Sequence, residues 1–188
     1  MANPLLLRTA VDLLARKQQV IESIDKLSIY GRLAEIVAAD LAALEASANA
    51  GDFSATPVEA RLEFGWADAQ QRWPRVQGTA AVALPAVCQR CLGLCHIELR
   101  VAIDLLLIKS RDTRSADDAL EIWELDNELL RPLDIVEEML VMALPLAPKH
   151  RDLAECGGAD VVSAQPERIS QDRIRPFANL KKDLEQAG

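Results

Sequence analysis

Between Ile97 and Leu107 the chain sets Ile97, Leu99, Val101, Ile103, Leu105 and Leu107 at every second position, with Glu98, Arg100 and Asp104 between them. A period of two belongs to a β-strand with one dry face and one wet face, because successive side chains leave a strand on opposite sides. A helix would scatter these six residues around its circumference, so the run commits the fold to a sheet with one buried face. Two earlier runs repeat the pattern: Val58, Ala60, Leu62, Phe64 and Trp66, then Val76, Gly78, Ala80, Val82 and Leu84, joined by the turn region ADAQQRWPR. Three such runs in succession predict an antiparallel meander, able to curl toward a barrel.

Helical signals flank the meander. Asn3 before Pro4 reads as a helix start, since Asn accepts from free amides and Pro presets the first turn, and a short helix to about Lys17 is expected. Leu33, Ile36, Val37, Leu41 and Leu44 keep helical spacing in an alanine-rich stretch without Gly or Pro, which predicts a helix ended by Gly51 and Asp52. Past the sheet, Pro132 and DIVEEMLVMAL read as a covering helix with Ile135, Met139, Leu140 and Ala143 inward, stopped by Pro145 and Pro148. From Gly157 onward bulky apolar residues are scarce until Phe177 and Leu180, which predicts a flexible extension with one anchoring patch. The expected architecture is a single α+β domain over residues 1–156: N-terminal helices, an antiparallel sheet and one covering helix, with a partly flexible C-terminal tail over 157–188.

At the meander's last turn lie Cys88 and Cys91 in VCQRCLGLC, and farther along come His150 and Cys156 in KHRDLAEC. A C-x-x-C pair on a hairpin suits metal chelation or dithiol chemistry. Cys88, Cys91, His150 and Cys156 would offer zinc three thiolates and an imidazole, with Cys95 as an alternative ligand. The competing reading is plain thiols without a metal. Covalent haem attachment is excluded by spacing, because Leu92 rather than His follows Cys91. Thiol oxidoreduction is a further alternative, although a redox C-x-x-C usually occupies a helix N-terminus. No P-loop, dinucleotide fingerprint or nucleophile elbow is present, so neither catalysis nor a small-molecule substrate is expected.

The 188 residues are half apolar, enough for one core. The N-terminal stretch lacks a basic leader, and Arg8 and Asp12 break its apolar run. No apolar stretch reaches membrane length, so a soluble, cytoplasmic protein without a disulfide framework is expected. Its net charge of -8 argues against indiscriminate nucleic-acid binding. Ten acidic residues against two arginines between Asp112 and Glu138 account for all of that charge. The segment reads either as a solvated loop and helix face or as a docking surface for a basic partner such as a ribosomal protein.

Candidate contacts with RNA or a partner are few. Trp66 falls in phase with the apolar face of its strand and reads as core, whereas Trp73 sits in a turn beside Arg72 and Arg75. With Arg90 these arginines would make a small basic patch if the turns were adjacent. In the tail, Arg175, Lys181 and Lys182 surround Phe177, an arrangement suited to docking on RNA or a protein, or to packing back on the domain.

The order of these pieces carries a resemblance: C-Q-R-C at a strand turn, an acidic loop, V-E-E before an apolar helix, A-L-P-L-x-P-x-H, a cysteine six residues later, and R-P-F-A-N-L-K. In this it resembles the YceD family, the large ribosomal RNA subunit accumulation proteins of bacteria and plastids. The resemblance implies a role in the synthesis, processing or accumulation of large-subunit (23S) ribosomal RNA and so in large-subunit assembly. The implied partner is precursor RNA or the assembling particle, and no enzymatic reaction is implied. Some relatives carry further cysteines after the L-P motif, like a four-thiolate zinc site. Here that second cluster is reduced to His150 and Cys156.

Overall fold

A computed structural model describes residues 3–42, 44, 51–109, 121–125 and 128–156. These residues belong to one compact unit, Met1–Cys156. Its centre is the expected meander, made of β3 (Pro57–Trp66), β4 (Pro74–Val87) and β5 (Leu94–Lys109). The register pairs Val58 with Val82 and Val82 with Leu99, which brings the apolar alternates of all three strands onto one face. Val58, Leu62, Phe64, Val76, Leu84, Ile103 and Leu105 are all buried there. Trp66 is only half-buried at the strand's end.

Two further strands complete the sheet in the order β2-β3-β4-β5-β6. The first, β2 (Val20–Lys26), pairs antiparallel with β3 and gives no sequence signal, because its inward positions are Ile21, Ser23 and Asp25 while Val20 and Ile24 face solvent. Asp25 is tied inward by the side-chain amide of Asn3 at 2.7 Å. The other, β6 (Glu121–Leu125), runs parallel to β5. The antiparallel expectation is corrected accordingly: the sheet is mixed. It is also open rather than a barrel, since β2 and β6 are its two edges among the described residues.

The N-terminal helix is corrected too. Asn3 caps as expected, its Oδ1 accepting from the Leu5 amide at 2.9 Å, but only a 3-10 turn follows over Pro4–Leu6. Leu5 is fully buried and fixes that turn in the core. The chain then forms β1 (Thr9–Ala10) and a six-residue helix, α1 (Val11–Arg16). Thr9 and Ala10 pair with Leu130 and Leu129 of β7 (Leu129–Leu130), so their backbone groups serve a two-stranded sheet in place of a helix.

The second helix, α2 (Gly31–Leu41), buries Leu33 and Val37 and ends well before Gly51. Residues 43 and 45–50 lie outside the described residues. The covering helix, α3 (Pro132–Met142), forms as expected, with Ile135, Val136 and Leu140 buried, Met139 packed partly against the core and Ala143 just past its end. Both α2 and α3 lie against β4, and α3 also against β5. Residues 110–120 and 126–127 of the acidic segment, and the tail 157–188 with its expected flexibility, fall outside the described residues.

Gly78 is required by the β3–β4 pair. A Cβ there would stand 1.9 Å from the Arg61 carbonyl oxygen, a backbone atom that cannot swing away. Substituting Gly78→Ala is expected to cost about 2 kcal/mol through strain between the two strands, measurable by urea unfolding.

Candidate metal centre

The β4–β5 hairpin turns through Cys88–Gly93. Cys88 donates its amide to Gly93 O at 2.8 Å and Leu92 donates to Cys88 O at 2.8 Å, closing a tight knuckle. Leu92 sits at φ 58°, a left-handed conformation that turns the chain back toward β5. After α3, the prolines at 145 and 148 keep the chain from continuing as a helix. It crosses to the hairpin, where the Gln89 amide donates to Pro148 O at 2.8 Å. A 3-10 turn over Leu153–Glu155 then delivers Cys156.

This route closes the fifty-nine-residue gap between Cys91 and His150. The Sγ atoms of Cys88, Cys91 and Cys156 and a ring nitrogen of His150 all lie within 4.8 Å of one another. Cys88 Sγ is 4.0 Å from Cys156 Sγ, and His150 Nδ1 is 3.5 Å from Cys91 Sγ and 3.4 Å from Cys156 Sγ. Tetrahedral zinc with its usual bond lengths spaces its donors about 3.8 Å apart for two sulfurs and about 3.6 Å for sulfur and nitrogen. The observed separations match those edges.

His150 is oriented for ligation. Its Nε2–H donates to Leu94 O at 2.9 Å, which leaves the Nδ1 lone pair facing the three sulfurs. Burial alone would raise the Cys88 thiol, but the amides of Cys91, His150 and Arg90 and the His150 ring outweigh it and bring Cys88 down to about 5. The Cys156 thiol is raised, by burial first and then by its sulfur neighbours Cys91 and Cys88. The Arg90 guanidinium opposes this from 3.8 Å. Cys95 stays outside the group: it is buried in β5 opposite Ala86, and burial pushes its thiol up. The four residues that converge are the expected first set, Cys88, Cys91, His150 and Cys156.

Asp40 of α2 steadies the knuckle from behind, accepting the Val87 amide at 2.9 Å one residue before Cys88. Removing it in Asp40→Ala is expected to weaken zinc binding about tenfold, as loss of an outer supporting bond does, measurable by competition with a chromogenic chelator.

The arginines of the expected basic patch are dispersed. Arg75 forms a bidentate pair with Asp104, its Nε and Nη2 each 2.6 Å from a carboxylate oxygen. Arg72 is held by Asp68, whose carboxylate also accepts the Arg72 and Trp73 amides at 2.8 and 3.0 Å. Those bonds outweigh the desolvation that would raise Asp68 and hold it below the usual carboxylate range. Arg90 lies at the far end of the fourteen-residue strand β4 from both. Trp73 is half-buried and lines a concavity of about 200 Å³. Arg175, Phe177, Lys181 and Lys182 lie outside the described residues.

Sequence reasoning missed Glu137, which it grouped with the acidic face. This carboxylate is 6% exposed and accepts the Arg32 and Leu33 amides at 2.8 and 3.2 Å, capping α2 from α3. No local pattern announces such a contact, because its partners are about a hundred residues away.

Residues 76–182 match the family model described as Large ribosomal RNA subunit accumulation protein YceD, a span covering more than half of the chain. The chain belongs to the YceD family. All four donor residues of this YceD-family protein lie inside the matched span, as do β5, α3 and all of β4 but its first two residues, whereas β2, β3 and α2 lie before it. No curated protein and no solved structure matches the chain. Among the described residues no helix is long and apolar enough to cross a membrane.

Proposed function

We propose that this protein is a non-catalytic, cytoplasmic factor in the synthesis, processing or accumulation of large-subunit (23S) ribosomal RNA, acting on precursor RNA or the assembling large subunit. The observation that carries the reading is membership of a family named for accumulation of that RNA. We propose further that Cys88, Cys91, His150 and Cys156 hold a structural zinc. Four protein ligands would fill a tetrahedral shell, leaving no open position for water or substrate, and this favours a scaffold over a metal-dependent or thiol enzyme. The ion's task would be to pin the β4–β5 hairpin tip to the chain that follows α3, adding to the Gln89–Pro148 backbone bond and the His150–Leu94 bond between these two segments.

On this reading RNA meets the metal end of the molecule and the C-terminal segment. Arg90 is exposed on the knuckle, and Lys149 and Arg151 are exposed on either side of His150. Arg175, Phe177, Lys181 and Lys182 would add cations and one aromatic anchor. Arg72 and Arg75 are weaker candidates, because a phosphate would have to displace Asp68 or Asp104.

The test is sucrose-gradient fractionation of extracts with and without the gene. The protein is expected to travel with large-subunit precursors, and its loss to lower the large ribosomal RNA selectively. A protein confined to the free fraction, with both ribosomal RNAs unchanged, would overturn the reading.

A further inference from the structure

The edge strand β6 presents two concavities side by side. The first, about 200 Å³, has a floor of Val11, Leu107 and Leu125 and a wall formed by Trp73. The second, about 570 Å³, holds Trp123 beside Ile29 and Leu133. Leu125 of the first and Trp123 of the second lie two residues apart on one side of β6, about 7 Å along the strand. Alternate side chains of an extended polypeptide repeat at this same distance.

Both concavities are negative. Asp12 and Glu128 line the first, and the one cation among its described lining residues, Arg72, is already held by Asp68. Asp12 has no ion-pair partner among the described residues. In the second, Glu35, Asp134 and Glu138 outnumber Arg32 and Arg131, and those two arginines pair with Glu138 and Asp134, while Glu137 is committed to the α2 amides. An apolar floor, an indole and carboxylates at the rim suit a side chain with a long aliphatic stem and a cationic head. The stem packs on the floor, the head lies over the indole face, and its charge meets the carboxylates. The same arrangement repels phosphate, which disfavours RNA here.

We propose that β6 and its two tryptophan-lined concavities bind a basic polypeptide segment, in extended form, that inserts Lys or Arg side chains at alternate positions. Acidity alone does not carry this. The apolar residues on the floors, the two indoles and the placement of Trp123 and Leu125 on one side of β6 do. The site is separate from the metal end and from RNA contact there, so either reading stands without the other.

The experiment follows the tryptophan indole N–H signals of the full-length protein by 15N NMR. The probes are an acetylated peptide of alternating Arg and Ser, its Glu–Ser counterpart and a single-stranded oligouridylate. The arginine peptide is expected to shift Trp73 and Trp123 and leave Trp66 in place, and the other two probes to shift none of them. Asp12→Asn should weaken the arginine peptide about fivefold, a loss in the range of one partly exposed cation contact. Glu59→Gln, which removes the same charge from the exposed face of β3, should leave its affinity unchanged. Equal weakening by Glu59→Gln would reduce the effect to net charge and overturn the site. So would a shift of Trp66 equal to that of Trp73, an oligouridylate that shifts Trp73 and Trp123, or no shift with the arginine peptide.

Discussion

Stripping zinc from the protein with a chelator is expected to lower its midpoint of thermal unfolding by about 10 °C. An ion bound only by the folded state stabilises it by about 4 kcal/mol when free metal stands near a thousand times the dissociation constant, and for a chain of this size each kcal/mol moves the midpoint by about 2–4 °C. The geometric basis is the match between three of the donor separations, 3.4 to 4.0 Å, and the edges of a zinc tetrahedron. Cobalt(II) should bind one to one and give the visible absorption of a tetrahedral, thiolate-rich centre. Cys88→Ser should abolish that spectrum and reproduce the chelator's effect on the midpoint. Cys95→Ser should leave the spectrum intact, since Cys95 is buried outside the donor group. Purified protein without a stoichiometric metal, and a midpoint indifferent to chelator and added zinc alike, would remove the metal from the account.

The second large effect is expected at Glu137. Its carboxylate replaces the cap that α2 lacks in its own sequence: the residue before the helix is Tyr30, which makes no side-chain cap bond. Two amides of the first turn, Arg32 and Leu33, donate to Glu137 Oε1 instead, in a setting where water is largely excluded. Hydrogen bonds to an ionised group are each worth about 1.5–3 kcal/mol, and the helix dipole adds to them. Truncation in Glu137→Ala also strands both donors, so a loss of about 3 kcal/mol, near 8 °C in the midpoint, is expected by calorimetry. Glu137→Gln keeps an acceptor and loses the charge, with an expected cost of about 1 kcal/mol. Glu138 pairs with the exposed Arg32 side chain, and Glu138→Ala should change stability by less than about 0.5 kcal/mol. Equal effects at the two neighbouring glutamates would show that burial and capping are not what distinguishes Glu137.

The two effects mark what a linear reading can and cannot reach. The meander was legible because Val58 to Phe64, Val76 to Leu84 and Ile97 to Leu107 each repeat an apolar residue at the period of a strand buried on one side. Helix α3 was legible because Pro132 starts it and Pro145 stops the chain from extending it. Cys88 and Cys91 stood out because their short spacing is itself a ligand geometry, and His150 and Cys156 because soft donors are scarce in the chain.

What remained hidden depends on partners distant in sequence. Strand β2 turns Ser23 and Asp25 inward, and it is placed by pairing with β3 and by the bond from Asn3 to one Asp25 oxygen. Thr9 and Ala10 leave a helix-like stretch because Leu129 and Leu130 lie beside them. Glu137, outwardly one more charge in an acidic run, is a buried cap, and Cys95, outwardly one more thiol near the knuckle, lies outside the group of four converging donors. By itself the sequence determined the periodic elements and the donor types, because side-chain period and ligand chemistry are local properties. The tertiary structure decided which donors converge, which carboxylate is buried and where the chain leaves a helix for a strand, because each depends on which backbone and side-chain groups long-range folding brings within bonding distance.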